Sequence, residues 1–507
     1  MEASKKKMKF PSAFSILFII LLIAIGLTWL IPSGSYSKLS YDSTENHFIV
    51  KTHGIPDQSY PATEQTLNQL NIKIQLSNFT NGIIKKPIAI PDTYQRIEQH
   101  EKGITDMIHA MVDGTIEVAD IMIFIFILGG MIGVINKTGA FNAGLMSLTK
   151  KTKGNEFSVV FAVCVLMLLG GTACGIEEEA VAFYPILVPV FLALGYDSIV
   201  CVGAIFLAAS MGTAFSTINP FSVVIASNAA GISFTEGMGF RTLGLILGGA
   251  CVIAYMYWYC KKLRANPEFS YTYDDRQAFY DLYMKDIDPN VTVEFTFRRK
   301  LILILFSAAF PLMVWGVMFG GWWFPQMAAS FLAITIIIMF ISGLPEKDVV
   351  NGFTHGASEL VGVALIIGLA RAVNIILEQG MISDTILDYM THLVDGMNGS
   401  VFIIGQLLIF IFLGLVVPSS SGLAVLAMPI MAPLADTVGI PRDIVVSAYN
   451  WGQYIMLFLA PTGLVLVTLQ MLGIPFNKWL KFVMPIVGCQ FVISSILLLT
   501  QVFMYAQ

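Results

Sequence analysis

Apolar positions along this chain fall in long unbroken runs rather than in the short alternations of a soluble fold. A helix needs about 20 apolar residues to cross a bilayer, and runs of that length recur from end to end. Pro11 to Ile31, Leu301 to Met318 and Phe482 to Phe503 are examples, and each predicts a membrane-spanning helix. Two stretches are too long for one crossing and are interrupted: Phe157 to Leu194 at Gly170-Gly-Thr-Ala-Cys-Gly-Ile-Glu-Glu-Glu179, and Val401 to Val438 at Pro418-Ser-Ser-Ser-Gly422. We read each as a re-entrant hairpin of two helices. A broken crossing follows each hairpin. The first runs from Ile199 and breaks at Ser216-Thr-Ile-Asn-Pro-Phe221; the second, Ile444 to Leu472, breaks at Asn450–Gln453 and at Pro461-Thr-Gly463. From Ser33 to about Gly103 the pattern turns polar. Strand-like alternation at Phe48-Ile-Val-Lys and Ile72-Lys-Ile-Gln predicts a small folded segment there.

The chain repeats itself. Gly114–Glu117 recurs as Gly356–Glu359, an offset of 359 − 117 = 242. Tyr184-Pro-Ile-Leu recurs as Met428-Pro-Ile-Met and the turn at Gly195 recurs at Gly439, both at 428 − 184 = 244. A nearly constant offset points to internal duplication, and in a membrane protein that is the ground plan of a secondary transporter with its site between the repeats. The expected fold is an all-α polytopic membrane protein with inverted repeats, each carrying a re-entrant hairpin and a broken helix. We divide the chain into an N-terminal transmembrane helix (1–32), an external polar segment (33–114), repeat 1 (115–260), a cytoplasmic connector (261–300), and a linking helix with repeat 2 (301–507).

Composition agrees: 56% of the 507 residues are hydrophobic and 12% are charged, against roughly 25% charged in soluble chains. Lys and Arg mark the cytoplasmic side of short loops. Lys5–Lys7 put the N-terminus inside, and Lys137, Lys150, Lys151, Lys153, Lys261, Lys262, Arg264, Lys478 and Lys481 fall on the same side if both broken stretches are hairpins. Arg241 and Arg442 remain as external exceptions. The predicted location is the cell membrane, multi-pass. The six cysteines lack metal-ligand spacing and the six histidines are scattered, so no metal, cofactor or catalytic set is expected. Nothing in the charge pattern calls for nucleic acid.

Non-helical backbone at membrane depth persists only where it is buried in protein or lines a cavity. Gly, Pro and Ser can simply kink a helix, but paired interruptions in both halves favour a site. Half-helix starts attract anions and half-helix ends attract cations. The second tip offers hydroxyls and amides at a helix start, suited to a carboxylate. The first carries three glutamates, which 100° helical spacing prevents from all facing one ligand, and intramembrane carboxylates are costly and usually functional. The candidate substrate-binding residues are Gly175, Glu177, Glu178 and Glu179 at the first tip and Ser216, Thr217 and Asn219 at the first break. Ser419, Ser420 and Ser421 represent the second tip, and Asn450, Gln453 and Thr462 the second break. Carboxylates facing hydroxyls suit a basic amino acid, whose guanidinium pairs bidentately with Glu. Arg371 could pair with Glu359, Glu378 or a tip. For Trp451 and Tyr454, aromatic packing is commoner than stacking on a cation.

At Phe10-Pro-Ser-Ala-Phe14, Ile31-Pro-Ser-Gly-Ser-Tyr36, Lys137-Thr-Gly-Ala140, Gly175-Ile-Glu-Glu-Glu179 and Pro418-Ser-Ser-Ser-Gly422 the chain resembles the ion transporter superfamily. Within it, the resemblance is to the YfcC branch related to anaerobic C4-dicarboxylate carriers, and most of all to arginine–ornithine antiporters of the arginine deiminase pathway. It covers nearly the whole chain outside the external insertion. The resemblance implies a hairpin-bearing transport domain moving against a scaffold, often within a homodimer. Superfamily dicarboxylate carriers place a Ser-Asn-Thr tip in each hairpin, which the segments Gly175–Glu179 and Ser419–Ser421 replace. The expected activity is exchange of arginine for ornithine. Its rivals are proton- or sodium-coupled uptake of a C4-dicarboxylate or another amino acid and, from a different class, a membrane-embedded enzyme.

Overall fold

The computed structural model describes residues 13–505 except 73, 81–83, 85–86, 178, 284–293, 321, 395 and 462. Lys5–Lys7, Glu178 and Thr462 therefore lie outside the described residues, and of Glu179 only the backbone is described. The chain is a multi-span helical membrane protein. Among the described residues seven helices are long and apolar enough to span, or eight if Ala140–Thr152 and Phe157–Ala173, bent by 111°, count as one.

The helices that position the site are α1 (Ala13–Leu30), α2 (Ile104–Glu117), α3 (Ala119–Thr138), α4 (Phe157–Cys174) and α5 (Ser198–Ala214) in the first half. In the second half they are α6 (Glu346–Glu359), α7 (Val361–Gln379), α8 (Ser383–Val394), α9 (Gly399–Val416), α10 (Ser420–Thr437) and α11 (Arg442–Leu459).

The duplication is visible in the backbone. Helices α2 and α3 are separated at Val118 (φ −105°, ψ 19°), and α6 and α7 at Leu360 (φ −98°, ψ 3°), so the chain bends after Glu117 and Glu359 alike. The turn glycines Gly195 and Gly439 both take left-handed φ, +83° and +71°. Packing is reciprocal: α2 lies along α7 while α6 lies along α3. Small residues allow membrane helices to approach this closely. A Cβ on Gly114 would sit 2.7 Å from the Gly368 carbonyl, and one on Gly356 only 2.1 Å from that of Gly129. Each hairpin's first arm also packs on the broken helix after it. Gly171 and Gly212 press α4 onto α5, and Gly452 presses α11 onto Leu407 of α9. Arg371 bridges the halves, pairing with Glu117 at 2.6 Å and with Glu378 at 3.3 Å. The Glu117 contact joins an arginine of the second half to an acid of the first.

The polar insert has a core of its own. Strands β1 (Gly34–Ser35), β2 (Lys38–Asp42), β3 (His47–Lys51), β4 (Gln58–Pro61), β5 (Ile88–Ala89) and β6 (Gln95–Arg96) form two antiparallel sheets. Their orders are β4-β3-β2-β5 and β1-β6. Leu39, Phe48, Val50, Phe79 and Ile88 pack beneath the larger sheet. Lys73 lies outside the described residues, and among the described ones the alternation at Ile72 and Ile74 does not make a strand. Ile72 and Ile74 are buried in this core from a loop, so the pattern there reports burial and not pairing.

The insert touches two parts of the helical body by different means. Toward α7 and α8 the contacts are polar: Ser33 Oγ donates to the Gly380 carbonyl (2.8 Å) and the Tyr36 amide to Asp384 Oδ2 (3.1 Å). The Tyr36 hydroxyl adds a bond to Asp388 (3.0 Å) and Tyr94 one to Thr385 (3.0 Å). Toward α10 they are apolar, with Val425 built into the insert's core and Ile72, Ile74 and Pro91 facing Pro429 and Pro433.

Two outcomes are expected. Gly356→Val should destabilise the fold by about 1–3 kcal/mol or more, because the added atoms meet backbone that cannot yield. Gly362→Ala, where a Cβ meets nothing within 4 Å, should melt like the parent in detergent. Burial raises the Asp384 carboxyl above its ordinary value, with Lys38 and the Tyr36 amide opposing. Its contribution to stability is therefore full at low pH and is lost as pH climbs through the raised value. Melting temperature measured against pH should fall less steeply in Asp384→Asn than in the parent.

Candidate substrate site where the helix breaks meet

Helix α4 ends because Gly175 takes φ +66°, a left-handed stop. A Cβ there would lie 2.5 Å from Asn219 Nδ2, so closeness to the first break also demands glycine. The chain resumes as a 3-10 turn, Glu179–Phe183, and the helix Tyr184–Ala193. Helix α5 contains a π turn over Gly203–Leu207 and stops before Ser216. Asn219 restarts the chain: its Oδ1 accepts from the Phe221 amide (2.8 Å) at the head of a second π turn, Pro220–Val224. Such turns recur at functional sites.

Tip and break in the first half are stitched together. The Thr217 amide donates to Thr172 Oγ1 (3.1 Å), and the Asn219 amide side chain reaches the Gly171 carbonyl (3.5 Å). Across the break, Ser216 Oγ meets Ser222 Oγ at 3.0 Å.

Helix α11 joins this half to the other. Asn450 Nδ2 donates to the carbonyls of Thr213 (3.0 Å) and Ala214 (2.8 Å) and to Ser216 Oγ (3.0 Å). Those carbonyls lie at the end of α5, where the helix runs out of amides; that of Thr213 also accepts from the Ser216 amide (3.1 Å). The second tip is capped by Ser419, whose Oγ accepts from the Gly422 amide (3.2 Å). Ser420 Oγ donates to the Phe221 carbonyl (3.3 Å), and the Ser420 carbonyl accepts from the Tyr449 hydroxyl (2.6 Å). Ser421 follows in the first turn of α10. Back at the first tip, the Tyr454 hydroxyl donates to Glu177 Oε2 (3.4 Å).

Gly175, Glu177, Ser216, Thr217, Asn219, Ser419, Ser420 and Asn450 thus converge. Two sequence expectations change. Asn450 and Gln453 lie within the continuous helix α11, so of the two interruptions expected there only the one at Pro461 is found, starting at Ala460, where the proline removes a donor. That restores the repeat register, since 460 − 216 = 244. Gln453 packs its backbone against Gly414 instead of pointing a break at the tips. Two of the second tip's hydroxyls are also engaged within the protein, one as a cap and one on Phe221. Trp451 is buried against Phe215, ring centroids 5.2 Å apart. Thr172 lies inside the first interruption and Ser222 and Tyr449 each sit one residue outside another, but residue type alone does not say which segment their polar groups bond.

The two arginines that broke the charge rule are both tied down. Fully buried Arg241 donates to the carbonyls of Phe234 and Glu236. Arg442 pairs with Asp436 and donates to the Ala230 carbonyl (2.8 Å). A cavity of about 1250 Å³ lies away from the tips, lined by Lys137, Lys151, His355, Glu359, Pro185 and Gln470 among others.

The first tip, the first break and the second tip, gathered by α11 inside a multi-span helical body, are the arrangement of a membrane carrier. The chain belongs to the DcuC family, the C4-dicarboxylate anaerobic carriers, whose profile matches residues 10–503. It is 76% identical over 508 residues to a protein of Haemophilus influenzae described as "Uncharacterized protein", spanning both chains in full. It is 28% identical over 506 residues, 96% of each chain, to an Escherichia coli protein described as "Putative basic amino acid antiporter YfcC". Among solved structures it matches MtrF of Neisseria gonorrhoeae (15% identity, 98% of this chain and 96% of that one, TM-score 0.39). It also matches the YdaH transporter of Alcanivorax borkumensis (13% identity, 97% and 99%, TM-score 0.39).

Asn450→Ala should remove the side-chain donor that the Thr213 and Ala214 carbonyls share at the end of α5. A buried group left unsatisfied costs about 1–3 kcal/mol, and a correspondingly lower melting temperature in detergent, with loss of transport, is the expected result.

Proposed function

We propose that this carrier exchanges basic amino acids, taking arginine in and releasing ornithine through one site exposed alternately to each side. One observation carries the reading: a carboxylate, Glu177, at one tip and serine with helix-start amides at the other are held by the same helix, α11. The ligand's guanidinium or ammonium pairs with Glu177, and its carboxylate takes the amides that open α10. Arginine and ornithine are both monocations, so strict exchange moves no net charge and needs no ion gradient. In this reading the interrupted segments 157–194 and 401–438 are re-entrant hairpins entering from opposite sides. The N-terminus is cytoplasmic and the insert is external. No step calls for catalytic chemistry.

The family description supports a second reading, gradient-driven uptake of a C4-dicarboxylate. The two part in proteoliposomes. Labelled arginine should enter vesicles preloaded with ornithine, independently of membrane potential, and should not enter vesicles holding buffer or succinate. Uptake of succinate that requires an imposed proton or sodium gradient, with no arginine exchange, would sink the first reading. Because a hydrogen bond to a charged group is worth about 1.5–3 kcal/mol, Glu177→Gln should cut arginine uptake about tenfold to a hundredfold.

A further inference from the structure

We propose that Tyr454 is a positioning residue that sets the site's preference for a cationic side chain, by fixing where the Glu177 carboxylate points. The inference rests on the reading of Glu177 as the group that meets the ligand's positive end. Tyr454 is buried, and its hydroxyl donates to Glu177 Oε2 at 3.4 Å. Five residues earlier on the same helix, buried Tyr449 donates to the Ser420 carbonyl at 2.6 Å, and Asn450 between them holds the end of α5. Helix α11 therefore presents three side chains within two turns, each gripping a different interrupted segment. A helix is rigid over that length, so the distance from Glu177 to the second tip is set by α11 and not by the loops that carry the tips.

Glu177 sits between the left-handed stop at Gly175 and the 3-10 turn at Glu179, outside both helices, and the Tyr454 hydroxyl reaches its carboxylate there. A carboxylate free to swing still attracts a cation by its charge but meets a guanidinium through one oxygen at a time. Held in one orientation, it meets a guanidinium along both oxygens' lone pairs, and that geometry separates arginine from an uncharged isostere. Tyr454→Phe removes one oxygen from a packed ring and leaves the fold's volume nearly unchanged.

The test is uptake kinetics in ornithine-loaded proteoliposomes for the parent, Tyr454→Phe, Glu177→Gln and the double variant, with labelled citrulline as the neutral isostere. The expected result for Tyr454→Phe is an arginine KM three- to tenfold higher, a maximal rate within about twofold of the parent, and a reduced arginine-to-citrulline ratio. In the Glu177→Gln background the same change should add nothing, because the hydroxyl acts through the carboxylate. A hydroxyl that acts independently of Glu177 would slow transport equally in both backgrounds, and that outcome overturns the inference. An unchanged KM and selectivity in Tyr454→Phe, with Glu177→Gln still impaired, overturns it while leaving the exchange reading intact. A parent protein that takes up no arginine overturns both. Melting temperatures of all four proteins, expected to agree within a few degrees, guard against misfolding as the cause.

Discussion

A helix broken inside a membrane leaves carbonyls that neither lipid nor water can satisfy, and the centre of this protein is arranged around that deficit. Asn450 meets it for α5, taking two carbonyls and a serine hydroxyl with one amide nitrogen. Because Asn450 belongs to the other repeat, satisfying the break also joins the halves. The same helix then reaches both tips through Tyr449 and Tyr454. Once α11 is seated, neither tip can move far alone. The site is a consequence of unsatisfied backbone finding its partners across a pseudo-symmetric interface.

Reciprocal packing supplies the frame. Helices α2 and α6 are exchanged between halves, each lying on the partner repeat's helix, and glycines bring the backbones into contact. Lipid tails are as apolar as leucine, so association in the bilayer rests on fit and on hydrogen bonds more than on hydrophobic burial. Gly114 and Gly356 serve that fit, and the Arg371–Glu117 pair adds charge at one junction. The insert is joined to the frame differently on its two sides. Directional polar bonds fasten it to α7 and α8, whereas apolar contacts, which tolerate sliding, meet α10 behind the second tip.

Spacing alone made much of this legible. The offset of Gly195 from Gly439 announced two turns that share a left-handed φ, and the interruptions near Gly175, Ser216 and Ser419 announced where helices stop. Interruptions are readable because Gly, Pro and Ser end helices for local reasons. Asn450 was singled out as part of a break, yet it serves from within an unbroken helix, and local pattern cannot distinguish the two. The roles of Thr172, Ser222 and Tyr449, in or next to the marked interruptions, were not legible, since a polar group there looks the same whether it bonds its own helix or a neighbour. The alternation at Ile72 and Ile74 misled for a related reason: it encodes which side is buried, and a loop over a small core needs that as much as a strand does.

The sequence by itself determined that the chain spans a membrane many times, that it is built twice, and where each half is interrupted, because hydropathy, repetition and helix breaking act over a few residues. Tertiary structure decided which interruptions meet, that α11 is the element linking them, and that the glutamate at 177 faces Tyr454. Those are contacts between residues 29 to 277 positions apart, selected by how unsatisfied carbonyls and closely apposed glycines fit in three dimensions, and no local pattern contains them.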